Sequence, residues 1–202
     1  VVAPGKLGGI ELGHNSDLDL VFIHDAPKNL MSTGRQPIDN NSFFTRLGQR
    51  MIHILTAHTP AGMLYEVDMR LRPSGESGLL VSSLDAFSTY QQRDAWTWEH
   101  QALVRARPVA GDNRLSQAFI KLRQQLLCQP RDQSSLRHDV GLMRKKMREN
   151  LLPKGVEDKV PPIFHLKHGT GAIVDIEFMV QYTVLAWSHQ YPELAVYTDN
   201  IR

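Results

Sequence analysis

Two acids one residue apart stand at the mouth of an apolar run, Ser16-Asp17-Leu18-Asp19-Leu20-Val21-Phe22-Ile23. A short β-favouring run like this reads as a strand, in which successive side chains point to opposite faces. Asp17 and Asp19 then share one face, and Leu18 and Leu20 turn the other way into a core. Slipping the register by one residue would bury both carboxylates, so the leucines fix where the acids go. Two carboxylates side by side repel each other unless a cation lies between them. Mg²⁺ is the natural choice, since it takes hard oxygen ligands and shares its shell with substrate phosphates. A third acid, Asp68, lies in the alternating stretch from Leu64 to Leu71, which predicts a second strand. If that strand pairs beside the first, the three acids form a clamp of the kind that holds two metal ions at a phosphorus centre.

The segment before the acids supplies a matching anion site. Gly8-Gly9 predicts a turn whose bare backbone can approach a triphosphate, followed by a helix whose opening N–H groups favour negative charge. Ser16 adds a hydroxyl donor. Arg70 and Arg72 alternate with Asp68 on one predicted strand face and could neutralise charge on a departing pyrophosphate. An isolated Asp-x-Asp or Gly-Gly is a weak signal. A Gly-Gly turn, seven residues, Asp-x-Asp entering an apolar strand, and a later strand with one more Asp make a specific arrangement, and it points to nucleotidyl transfer.

Around this nucleus, Ser42 is expected to cap a helix carrying Phe43, Phe44, Leu47, Met51, Ile54 and Leu55 at helical spacing. The segment from Asp25 to Asn41 reads as a loop. Ser82-Ser83 can cap a helix through Phe87 and Tyr90, and Trp96 and Trp98 read as core residues. Beyond Gly111-Asp112 the pattern turns helical. Leu115, Phe119, Leu122, Leu126 and Leu127 form one stripe, with further helices expected from about Ser135 to Leu151 and from about Ile173 to Ser188. Pro153, Gly155 and Pro161-Pro162 mark a loop between them. The expected fold is α+β, a mixed sheet flanked by helices and followed by a helical bundle region. Residues 1–112 would form the catalytic core, and residues 113–202 the start of a helical domain, the whole being a piece of a longer protein.

Composition narrows the partners. A formal net charge of +2 over 202 residues argues against a dedicated nucleic-acid binder, and no apolar run is long enough to span a bilayer. The single Cys128 excludes an internal disulfide framework and suits a reducing cytoplasm. The basic run Arg144-Lys145-Lys146-Met147-Arg148 reads as a solvated helix face or a docking patch for a negative surface.

Gly8-Gly9 to Asp17-x-Asp19 resembles the signature of the DNA polymerase β-like nucleotidyltransferase superfamily. Within it, the match is closest in wording to the bacterial glutamine synthetase adenylyltransferases. It is carried by Gly5-Lys6-Leu7-Gly8-Gly9, Glu66-Val67-Asp68-Met69-Arg70-Leu71-Arg72-Pro73-Ser74-Gly75, Trp96-Thr97-Trp98-Glu99-His100-Gln101 and Asp175-Ile176-Glu177-Phe178. The resemblance spans essentially the whole chain. It departs at Gly9, where the superfamily usually has Ser, and at Gly171-Ala172-Ile173, where the family has Gly-Gly-Ile. It implies Asp17, Asp19 and Asp68 as ligands of Mg²⁺ and catalytic residues, with Gly8, Gly9, Ser16, Arg70 and Arg72 at the nucleotide. It also implies AMP transfer from ATP to a tyrosine of glutamine synthetase, and the nitrogen-regulatory signal protein PII as a partner of the full-length enzyme. Such enzymes carry two related domains, one removing AMP by phosphorolysis and one adding it, and this sequence is similar to the adding copy. The removing copy, a nucleotidyltransferase with another acceptor, and a non-catalytic module of the same fold remain the alternatives.

Overall fold

In the computed structural model, residues 1–14, 16–27, 29–152 and 164–201 are described, and the predicted loop at 153–163 lies outside them. The chain is a mixture of helices and short strands. β1 (Val2–Ala3) leads into a one-turn helix, α1 (Gly5–Gly8), and β2 (Leu18–Asp19) and β3 (Phe22–His24) follow. Next come α2 (Asn40–Thr56), the hairpin of β4 (His58–Thr59) and β5 (Gly62–Met63), and β6 (Val67–Asp68). β7 (Val81–Ser83), α3 (Leu84–Arg93), α4 (Thr97–Val104) and β8 (Arg107–Pro108) complete this part. Three more α-helices follow: α5 (Asn113–Leu127), α6 (Gln133–Leu151) and α7 (Ile173–Trp187).

The apolar run is the hub of the strands. β2 pairs in parallel with β6, β3 pairs in parallel with β7, and Val21 bridges antiparallel to Val2 of β1, which itself pairs with β8. The expected alternation is present. Leu18, Leu20 and Phe22 enter one core with Ala3, Met69 and Val81, covered by Phe44, Met51, Ile52 and Leu55 of α2. Val21 and Ile23 enter the other, with Phe87, Leu103, Phe119, Leu126, Leu127 and Leu185. That larger core draws residues from both sides of Asp112, whose carboxylate caps α5 by accepting from the N–H groups of Arg114 and Leu115.

Several expectations are corrected. The helix expected from Ser42 begins at Asn40, because the Asp39 carboxylate accepts both the Ser42 N–H and the Ser42 hydroxyl and is the stronger cap. The strand expected from Leu64 to Leu71 shrinks to Val67–Asp68. Its end is local chemistry: Asp68 Oδ1 accepts the N–H of Arg70 at 2.8 Å, turning the chain before another ladder bond can form. Trp96 is 71% exposed rather than core. Arg144, expected on a solvated face, is buried. No helix among the described residues is long and apolar enough to cross a membrane.

Candidate active site

The β2–β6 pairing sets Asp19 directly opposite Asp68. Leu18 N–H donates to Glu66 O at 2.8 Å and Leu20 N–H to Asp68 O at 2.9 Å, so the register is locked on both sides of Asp19. Asp17 projects from the approach to the same strand. An oxygen from each of the three carboxylates lies within 4.8 Å of the other two, Asp17 being exposed and Asp19 and Asp68 half-buried. Asp17, Asp68, Arg70, Arg72, Glu66 and Glu76 line an open cleft of about 550 Å³.

The acids do not carry equal charge. Burial, with Asp17 and then Asp68 nearby, pushes the Asp19 carboxyl up to about 6. Asp68 goes the other way: hydrogen bonds from the Arg70 side chain hold it below the ordinary carboxylate range. Three hard oxygen donors converging on one point, one of them made reluctant to ionise by burial and by the other two, fit a divalent metal such as Mg²⁺.

The surrounding residues differ from their sequence-based placement. Arg70 and Arg72 do not stand beside Asp68 on a strand. Arg70 turns back so that its Nε and Nη2 grip the Asp68 carboxylate, and its side chain is 71% exposed. Arg72 donates to Met69 O and Glu76 O and braces the turn that follows. Ser16 is buried, and its Oγ accepts from Lys6 Nζ and from Gly13 N–H, each at 3.2 Å.

The Gly8-Gly9 turn closes a helix instead of opening one, since α1 ends at Gly8 and Gly9 N–H is spent on Gly5 O. Packing is what demands glycine there. A Cβ on Gly8 would stand 1.9 Å from Arg105 O and 2.2 Å from Ala3 O, and one on Gly9 would stand 2.4 Å from Arg105 Nη2. Arg107 and Thr198 donate to Gly8 O, tying the turn to β8 and to the C-terminal segment.

Sequence reasoning gave no bracing role to the residues that hold this loop, although Gly5 and Glu177 stand in the matched motifs. Arg105, at the end of α4, donates to Glu11 at 2.5 Å and to Glu177 of α7 at 2.8 Å, with its side chain 5% exposed. Gly5, at φ +64°, lies against Asp19, and no spacing rule could have placed it there. Asp175, near the start of α7, accepts from Arg144, Arg148 and the Gly171 N–H and so is engaged in joining α6 to α7.

Residues 1–122 match the family model described as glutamate-ammonia ligase adenylyltransferase. The whole chain is 56% identical to a bifunctional glutamine synthetase adenylyltransferase/adenylyl-removing enzyme of Pseudomonas aeruginosa, covering 21% of that protein. Proteins of the same name from Hahella chejuensis and Nitrosococcus oceani are 56% and 58% identical over the whole chain, which covers 21% and 20% of them. The chain thus spans about a fifth of the length of these relatives. With a matched family model over more than half its residues and such identity along all of them, the chain belongs to the glutamate-ammonia ligase adenylyltransferase family.

Proposed function

We propose that this chain is a Mg²⁺-dependent nucleotidyltransferase domain that transfers AMP from ATP to a tyrosine of glutamine synthetase, releasing pyrophosphate. The observation that carries the reading is the convergence of Asp17, Asp19 and Asp68 within 4.8 Å, in a family named for adenylyl transfer. In this reading the three acids hold the metal and are the catalytic residues. Gly8, Gly9, Ser16, Arg70 and Arg72 border the nucleotide end of the site, Arg70 and Arg72 while engaged by Asp68 and by the turn that follows it, within a catalytic core of residues 1–112 and beside a helical region of residues 113–202. Its fold is the polymerase β-like one.

Asp17, Asp19 and Asp68 would hold Mg²⁺, which would supply positive charge for the phosphates and for the oxygen of the attacking hydroxyl. The chain's own residues do the rest. Asp17 and Asp19, one residue apart, would hold the cation that lets a triphosphate approach them. Asp68, on the partner strand and kept ionised by Arg70, orients the acceptor hydroxyl and takes its proton. The hydroxyl oxygen forms a bond to the α-phosphorus as the bond to the bridging oxygen of pyrophosphate breaks in line. Glutamine synthetase is the protein substrate and PII the regulatory partner of the full-length enzyme, in the cytoplasm.

The relatives' double name favours one second reading on this same site, phosphate-dependent removal of AMP. Incubating the chain with labelled ATP, Mg²⁺ and unmodified glutamine synthetase tests the first reading, which expects labelled subunit. Adenylylated glutamine synthetase with phosphate tests the second. An Asp17→Asn/Asp19→Asn chain that still transfers AMP would overturn both.

A further inference from the structure

A departing pyrophosphate needs cationic donors, and most basic groups around the three acids are already engaged. Arg70 grips Asp68, Arg72 braces its own turn, Arg105 bridges Glu11 and Glu177, and Arg107 donates to Leu7 O and Gly8 O. Lys6 differs. It sits on α1 next to Gly5, whose Cα lies against Asp19, and its positive charge is felt at the Asp19 carboxylate. Among the described residues its ammonium has one hydrogen-bond partner, Ser16 Oγ at 3.2 Å.

The partner is telling. Ser16 Oγ accepts from both Lys6 Nζ and Gly13 N–H, which fills its acceptor side and, among the described residues, leaves the hydroxyl proton unspent. Lys6 likewise keeps two of its three N–H groups. A buried, fixed hydroxyl thus aims an ammonium, and the pair presents three donors and no acceptor beside the strand that carries Asp17 and Asp19. That donor set suits phosphate oxygens.

We propose that Lys6 Nζ and the Ser16 hydroxyl together grip the β- and γ-phosphates of the nucleotide, with Lys6 the cation that binds the leaving pyrophosphate. The proposal rests on the nucleotidyl-transfer reading above and adds to it the residue that recognises the leaving group. Lys6 is tied to Ser16, the residue before Asp17, and follows Gly5, which lies against Asp19, so its ammonium stands beside the two acids of β2 and its approach.

The test is binding of magnesium ATP, magnesium pyrophosphate and AMP to the purified chain, by calorimetry or by competition. Lys6→Met is expected to weaken magnesium ATP and magnesium pyrophosphate by about tenfold or more, the loss of one charge-assisted contact, and to leave AMP unchanged. Lys6→Arg should recover most of the loss, and Ser16→Ala should show a smaller loss with the same selectivity. Unchanged affinities in Lys6→Met, or an equal loss for AMP and pyrophosphate, would overturn the role given to Lys6 while leaving the transfer reading intact. A wild-type chain that binds no magnesium nucleotide would bring down that reading and this proposal with it. Thermal melts show whether each variant is folded, and Lys6→Gln is read by the same criteria if Lys6→Met is not.

Discussion

The carboxylate of Asp19 rests against the bare Cα of Gly5. A Cβ there would come within 2.1 Å of Asp19 Oδ2, and Gly5 holds φ at +64°, a conformation other residues resist. Gly5→Ala therefore carries a backbone penalty of about 1 kcal/mol and also pushes the most buried of the three acids out of position. The expected outcome is a folded chain that has lost most of its Mg²⁺-induced thermal stabilisation. Transfer should fall on the order of 100-fold, the cost of misplacing a reacting group by about an ångström. Melting curves with and without Mg²⁺ check the first effect and a transfer assay the second.

The raised Asp19 carboxyl has a definite sign in stability. Its folded value of about 6 lies above its ordinary 3.8, through burial first and the charges of Asp17 and Asp68 after it. The folded state binds more protons between those values, so this group's contribution is greatest below about pH 4 and is lost as pH rises through 6. Without metal, the wild-type melting temperature should therefore fall relative to Asp19→Asn between pH 4 and pH 7. Saturating Mg²⁺ should remove the fall, and Mg²⁺ affinity should rise over the same interval. Identical pH profiles for the two proteins would show that Asp19 titrates normally.

Arg70 and a bound cation compete for the same carboxylate. Both oxygens of Asp68 accept from the Arg70 side chain, which is itself largely exposed. Arg70→Ala should change stability by less than about 1 kcal/mol, as expected for an exposed pair, and should let Asp68 titrate at higher pH. Near neutral pH the variant should bind Mg²⁺ more tightly than wild type, by a few-fold, because the competing guanidinium is gone. Calorimetric titration with Mg²⁺ gives the answer, and weaker binding would mean that Arg70 orders the site instead of guarding it.

How much of this site could be read from the residues follows from how local each feature is. Asp17, Asp19 and the leucines between and after them obey strand alternation, which sequence displays directly, and the two cores receive Leu18, Leu20, Val21 and Ile23 as that alternation requires. Asp68 was recognisable as an acid on a short strand, but its pairing with β2 is a contact across 49 positions, and only the fold supplies it. Arg70 and Arg72 were misplaced because an Asp side chain bonding the N–H two residues on ends the strand, a local competition that apolar periodicity does not reveal. In the sequence Gly8 and Gly9 stand out only for their freedom of backbone. Their actual neighbour is Arg105, nearly a hundred residues away, which no spacing rule reaches.

Arg105 binds that loop to the helical part of the chain. Its buried guanidinium joins Glu11 to Glu177 of α7, and Glu11 in turn accepts from Asn200. Removing the cation by Arg105→Ala strands two partly buried carboxylates and opens a void under Gly9, so stability should drop by about 3–5 kcal/mol. Glu177→Gln keeps a hydrogen-bond acceptor for Arg105 and should cost less. Denaturant unfolding of the two variants separates them, and equal losses would mean that the Glu11 half of the bridge carries little.

Asp175 distinguishes a structural acid from a catalytic one. Burial raises its carboxyl, but the Gly171 N–H and the charges of Arg144 and Arg148 together outweigh that and hold it below the ordinary range. Arg144, nearly buried, also donates to His168 O, so the cluster fastens the start of α7 to α6 and to the segment before it. Asp175→Asn takes from Arg144 and Arg148 the one carboxylate that both pair with among the described residues. The expected result is a loss of about 2–4 kcal/mol, somewhat below the figure for a fully buried pair because Arg148 is one-third exposed. Because the depressed carboxyl contributes stability that disappears as pH falls through its folded value, the gap between wild type and Asp175→Asn should close in acid. Binding of magnesium ATP per folded molecule should be unchanged, since the Asp175 carboxylate is engaged by Arg144, Arg148 and the Gly171 N–H in joining α6 to α7. A variant that folds as stably as wild type but binds nucleotide poorly would instead place Asp175 in the reaction.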